Sequence, residues 1–195
     1  MYQMKIRETP KRRHSFLAAF LLFAINAFAA QALAGGGVVD ESSTATEVAP
    51  RCSDDIVWLR GDWGTARFRV EIADDPEEQR IGLMNRQSLA RSAGMLFIYP
   101  EARPASFWMA NTLIPLDMLF FDSRGNLVTV HENAVPLDRS ALFGGDAVKA
   151  VLEINGGMAR ALGILSAQGD SPMITGIAHP SFDTEDAVYP CPSPR

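Results

Sequence analysis

Polar and apolar positions alternate cleanly from Thr65 to Ala73, with Phe68, Val70 and Ile72 on one face and Arg67, Arg69 and Glu71 on the other. That period of two predicts a half-buried strand. Asp75-Pro76-Glu77-Glu78 reads as a helix start: Asp75 can cap, Pro76 suits the first helical position, and Glu78 closes an acidic variant of the capping box. Ile81, Leu83 and Met84 then give a short helix one apolar face up to Arg86. Met95 to Tyr99 is an apolar strand ended by Pro100, and Ala105 to Met109 is another, interrupted by Asn111-Thr112. Pro115–Phe121 and Leu127–Asn133 flank Asp122-Ser123-Arg124-Gly125-Asn126, a hairpin loop in which Gly125 suits a left-handed turn position. In the register this loop predicts, Phe121 faces Leu127, Leu119 faces Thr129 and Asp117 faces His131. Ala147–Ile154 alternates as a further strand, Gly156-Gly157 opens a short helix from Met158 to Leu162, and Met173–Ile177 forms a last strand. The tally predicts a mainly β, compact antiparallel barrel or sandwich with two short helices.

The ends of the chain read differently. Lys5, Arg7, Lys11, Arg12 and Arg13 form a basic run, Phe16–Ala30 an apolar one, and Ala32-Leu33-Ala34 an A-x-A cleavage site. An apolar run of roughly 15 residues is shorter than the ~20 that span a bilayer, so 1–34 reads as a removable signal peptide. Arg12-Arg13 resembles a twin-arginine signal, but Phe16 sits one place too far from the pair, and Sec export to the periplasm or medium is the reading. Segment 35–54 is a flexible lead-in, 55–179 a single β-rich domain, and 180–195 a tail in which Pro190, Pro192 and Pro194 prevent regular structure. Removing 1–34 leaves 13 basic against 22 acidic residues, a formal net charge of −9. An acidic product with no basic stripe argues against nucleic acid and anionic lipid as partners, and no stable membrane insertion is expected after processing. Cys52 and Cys191, an even pair in an oxidising compartment, point to a disulfide joining the two tails.

The candidate chemistry is sparse. Across a strand pair, opposed Cβ atoms lie roughly 4.5–5.5 Å apart, so Asp117 and His131 are expected to meet as a carboxylate–imidazole pair, half of a general-base device. No nucleophile elbow accompanies it, and a structural pair pinning strand register is the simpler reading. Glu132 points to the opposite strand face from His131, so no metal set forms, and no cofactor is expected. His179, followed by Pro180, reads as a surface residue. Trp108, Trp58, Trp63 and Tyr99 offer an aromatic platform, with core packing as the default. Arg86 can bind a ligand carboxylate or answer a helix dipole, and Asn111 and Thr112 can satisfy backbone groups where the strand breaks.

Taken in order, Val70-Glu71-Ile72-Ala73, Arg80-Ile81-Gly82-Leu83-Met84, Arg86, Gly94-Met95-Leu96-Phe97, Phe107-Trp108-Met109, Asn111-Thr112 and Pro115-Leu116-Asp117 resemble domain-of-unknown-function family 192. The resemblance continues through Phe120, Gly125, Val130-His131-Glu132-Asn133-Ala134, Val151-Leu152-Glu153 and Leu162-Gly163-Ile164, covering about Arg67 to Asp170. It implies a small, mainly β, barrel-like domain, often exported, and no particular activity. Its recurrent polar positions fall on Arg86, Asn111, Thr112 and Asp117. Two departures stand out: Ala110 replaces a usual basic residue, and only Gly169-Asp170 remains of the usual ending.

The leading expectation is a non-catalytic envelope module that binds a small molecule or peptide. Trp108, Met109 and Met84 would form its walls, with Arg86, Asn111, Thr112, Asp117 and His131 as polar contacts. The alternatives are a hydrolase with Asp117 orienting His131 as base, and a structural or assembly partner.

Overall fold

The computed structural model describes residues 52–165, 175–182 and 184–191. The expected signal peptide, most of the lead-in, the end of the Pro-rich tail and the first two residues of the expected 173–177 strand lie outside the described residues.

Seven strands form one sheet: β1 (Ile56–Gly61), β2 (Gly64–Ala73), β3 (Ala93–Phe107), β4 (Leu116–Phe121), β5 (Leu127–Ala134), β6 (Leu142–Asn155) and β7 (Thr175–Ala178). Their order across the sheet is β5-β4-β6-β3-β2-β1-β7. The described residues are mostly β, with two short α-helices among them, α1 (Pro76–Ile81) and α2 (Met158–Leu162). Every ladder is antiparallel except β2–β3. That pair is parallel because α1 and the loop after it carry the chain back to the end of the sheet where β2 began.

The sheet curls so far that its outer strands approach each other. The tip of the β4–β5 hairpin reaches β7, where Ile177 N donates to Gly125 O at 2.9 Å and Asn126 bridges Gly176. Inside the curl lies a core to which all seven strands contribute: Val57, Leu59, Phe68, Val70, Leu96, Leu119, Phe121, Leu152 and Ile177 are buried, with Leu127 and Val130 packed against them. The outer face of β3, β4 and β6 is buried too, under α1 and the loops flanking β3; Met95, Phe97, Met118, Phe120 and Val151 form this second core.

Several elements differ from expectation in instructive ways. β3 is one strand where two are expected, running through Pro100 with irregular pairing to β6 between Ile98 and Ala105. Proline lacks the N–H a ladder needs, so pairing lapses there instead of ending. α1 stops at Ile81 instead of Arg86, since Gly82 has φ +50°. Asp75 caps it as expected, accepting from Glu77 N at 2.8 Å and Glu78 N at 2.9 Å, while Glu78 reaches back to Asp74 N at 3.3 Å, one residue beyond a capping box. β1 is additional to the strands expected.

The two ends of the described chain are joined by the Cys52–Cys191 disulfide. His179 is buried close to the start of the described chain, not exposed: Ser181 N donates to its Nδ1 at 3.2 Å, leaving Nε2 to donate to Asp54 O at 3.1 Å. Burial pushes its pKa down.

Replacing Cys52 and Cys191 together by Ser is expected to lower the unfolding free energy by about 2–4 kcal/mol, since so long a closed loop constrains the unfolded chain. Urea titration of both forms checks this. Gly144→Ala is expected to destabilise comparably, by about 1–3 kcal/mol or more, because a Cβ there would lie 1.8 Å from the Phe120 ring.

Candidate functional site

The outer face of the sheet carries one register row that fixes the site. His131 on β5 faces Met118 on β4, Met118 faces Glu153 on β6, Glu153 faces Met95 on β3, and Met95 faces Glu71 on β2. Directly opposed residues share a face, so Glu153 stands between two methionines in the middle of a covered sheet. Only 4% of it is exposed. Among the described residues nothing donates a hydrogen bond to its carboxyl, and desolvation alone raises its pKa to about 8. At neutral pH the group is therefore mainly the uncharged acid.

Above Glu153 lies a hollow of about 140 Å³, open to solvent at its mouth. One wall is the stretch from Gln79 to Met84. The other is Ser106, Phe107 and Trp108 with Thr112, and Phe97 and Tyr99 of β3 also line it. Both walls are fixed by hydrogen bonds to backbone. Gln79 Nε2 donates to Ile98 O at 3.0 Å, holding α1 to the middle of β3. Asn155 Nδ2 donates to Ala90 O at 3.0 Å and Leu89 O at 3.2 Å, pinning the loop that follows α1. Asn85 N donates to Asn111 O at 2.8 Å, joining the two walls; both residues have left-handed backbones, φ +60° and +56°, a conformation Asn tolerates better than most. Trp108 is 58% exposed at the mouth.

The expected Asp117–His131 pair does not form. Two residues of β5 pass one of β4 between Phe121/Leu127 and Phe120/Thr129, a bulge that shifts the hairpin by one place. A one-place slip turns side chains to the other face. His131 thus opposes Met118, packs edge-to-face on Phe120 at 5.6 Å, and places Nε2 2.9 Å from Phe143 O. Asp117 points to the inner face, fully buried, where it accepts from Asn133 N at 2.7 Å, Gly157 N at 2.8 Å and Ala159 N at 2.6 Å. Burial raises its pKa while these three donors pull it down. Its role is to hold the start of α2 against the sheet.

The other candidates separate as well. Trp108 and Thr112 line the hollow, as does Met84, which Asn111 Nδ2 contacts through Sδ at 3.8 Å. Met109 is buried in the outer core. Arg86 forms a two-pronged ion pair with Glu71 at 2.9 and 2.5 Å and is not part of the hollow's lining. Of the four platform aromatics, Tyr99 and Trp108 reach the hollow; Trp63 instead donates to Thr175 Oγ1 at 2.9 Å, and Trp58 stacks near Arg67 at 6.0 Å. Glu153 is the residue the sequence reading passed over. Its signal is visible all the same: one acid inside Val148-Lys149-Ala150-Val151-Leu152-Glu153-Ile154, in the half of the strand that is otherwise apolar. Among the described residues no cluster of three or more His, Cys, Asp or Glu side chains is arranged for a metal, and no helix is long and apolar enough to cross a membrane.

Fold and hollow together define a small curled-sheet domain with an unpartnered acid under a surface cleft. The chain belongs to domain-of-unknown-function family 192, described as "Uncharacterized ACR", whose model matches residues 57–171. Two solved structures are similar to it. One, a protein of unknown function from Novosphingobium aromaticivorans DSM 12444, is 38% identical with a TM-score of 0.57, over 63% of this chain and 82% of that one. The other, from Sinorhizobium meliloti 1021 and provisionally called a transcription regulator, is 39% identical with a TM-score of 0.57, over 66% of this chain and 95% of that one. No curated protein matches the chain.

Two outcomes follow from the carboxyls. Asp117→Ala leaves one buried and two part-buried N–H groups without an acceptor and is expected to cost about 3 kcal/mol, whereas His131→Ala is expected to cost about 1 kcal/mol; chemical denaturation of each separates them. For Glu153 the folded pKa lies above the unfolded one, so its contribution to stability is full below the ordinary carboxylate value and is lost as pH rises through about 8. Wild type is expected to lose stability between pH 6 and pH 9, and Glu153→Gln to lose less over the same range.

Proposed function

We propose that this chain is an exported, non-catalytic binding module that takes a small molecule or an extended peptide segment into the hollow above Glu153. The observation that carries this reading is the pairing of an almost fully buried acid, with no donor among the described residues, with an exposed tryptophan at the mouth of the same cleft. Such a carboxyl costs stability unless something repays it, and an unpartnered apolar indole at a cleft mouth is what ligand sites present. Trp108, Met84 and Thr112 serve as contacts, with Asn111 holding the wall; Arg86, Asp117 and His131 take no part.

Export is supported by the basic run, the apolar stretch and Ala32-Leu33-Ala34, and by a disulfide, which persists in oxidising compartments. The acidic balance disfavours nucleic acid as the partner. The hydrolase alternative has lost its orienting carboxylate, since Asp117 is spent on α2.

Expressed from its full gene in a bacterial host, the protein is expected in the periplasmic fraction with Gly35 at its N-terminus, read by intact mass; an uncleaved cytoplasmic product would overturn export. In a thermal-shift screen of envelope metabolites and short peptides, at least one ligand class is expected to raise Tm, and Trp108→Ala to remove that rise. No rise with any class would overturn the binding reading.

A further inference from the structure

The hollow's chemistry narrows what it accepts. Phe97, Tyr99, Phe107 and Trp108 line it together with the Met84 thioether, and Glu153 lies at its floor, 96% withdrawn from solvent with no donor among the described residues. Aromatic faces attract cations, and more so when water is excluded. A carboxyl at the base of such a set lacks one thing, a positively charged donor.

Resting on the binding reading above, we propose that the ligand's recognised group is an alkylammonium on a short apolar stem, seated among the aromatic rings with its charge against Glu153. An anion would meet the negative faces of the rings and an acid; a neutral ligand would leave the carboxyl's second oxygen unused. Two other ionisable groups line the hollow. Arg80 on α1 is held by Glu77 through Nε at 2.9 Å and Nη2 at 2.5 Å, and is exposed, so its charge is answered outside. Tyr99 on β3 is buried, which raises its pKa and keeps it neutral, with Arg103 stacked on its ring at 4.9 Å. The remaining lining residues from the 106–112 wall, Ser106, Phe107, Trp108 and Thr112, carry no charge, and β4 offers Glu153 only Met118. The mature chain's surplus of acidic residues favours the approach of a cation.

Binding then exchanges one cation for another. Before binding Glu153 holds a proton; the arriving ammonium ion-pairs with the carboxylate, and that proton leaves to the buffer. The same ammonium chemistry occurs in free amines and in lysine side chains of peptides, so both are tested.

The experiment is calorimetric titration of the disulfide-bonded protein with n-butylammonium, with Nα-acetyl-lysine amide, and with the uncharged n-pentanol and the anion butyrate as controls. It is run at pH 6, 7 and 8, in phosphate and in Hepes. Expected are binding of at least one ammonium probe, release of about one proton at pH 7 given the carboxyl's pKa of about 8, and affinity rising about tenfold per pH unit up to that value. Preference for the free amine over the lysine derivative identifies a metabolite ligand, and the reverse a peptide; both support the proposal. Glu153→Gln is expected to abolish the pH dependence and weaken binding at least tenfold. Trp108→Ala, exposed and so not needed for folding, is expected to weaken it about 3- to 30-fold. Equal affinity for n-pentanol, or undiminished ammonium binding by Glu153→Gln, overturns the ammonium assignment. Binding of n-pentanol or butyrate alone, lost in Trp108→Ala, overturns the assignment but leaves the binding module standing. No binding of any probe, together with no rise in the thermal-shift screen, overturns both.

Discussion

A sheet whose central strands are covered on both faces gives a carboxyl little access to water, and β3, β4 and β6 are covered on both faces. Two acids nevertheless sit there, on neighbouring strands and facing opposite ways. Asp117 points inward and meets three backbone N–H groups; Glu153 points outward and meets two methionines. The difference decides their roles. A buried carboxylate with three strong donors is a structural tie, comparable to a capping residue borrowed from another strand. One with none must keep its proton or acquire a partner from outside.

Much of the fold is legible in the sequence because its local signals are strong. The alternation at Phe68, Val70 and Ile72, the cap at Asp75, and the Gly125 turn all fall where they are expected, because each depends on contacts within a few residues. Likewise the pairing of Cys52 with Cys191 needs only their number and an oxidising setting. What is not legible depends on distant partners. The bulge after Leu127 is a property of how β5 pairs with β4, and no local residue announces it. That single extra place separates Asp117 from His131 and dissolves the expected constellation. Trp108 and Thr112 do line the hollow, whereas Arg86 is consumed by Glu71, a partner fifteen places away that only the sheet brings near.

The hollow is built by α1, β3 and the loops that follow them, and does not depend on loop flexibility. Both of its walls are tied to each other or to the strands by hydrogen bonds, and the second wall is braced further where Met109 N donates to Asp138 O at 2.8 Å and Leu137 N to Thr112 O at 3.1 Å. Asn85, Asn111 and Leu137 supply left-handed corners at these ties. A site so anchored meets its ligand with little ordering left to do, which favours affinity per contact.

The approach of the β4–β5 tip to β7 has a further consequence. Open sheets expose rows of unpaired amides along their margins, and such rows recruit strands from other molecules. Here the tip occupies Ile177 and Gly176, and Val188 N donates to Arg124 O at 2.9 Å, so the C-terminal segment shields the same junction. By curling until its margins approach, the domain leaves little of that stretch for a neighbouring copy to add to, a guard against fibre formation.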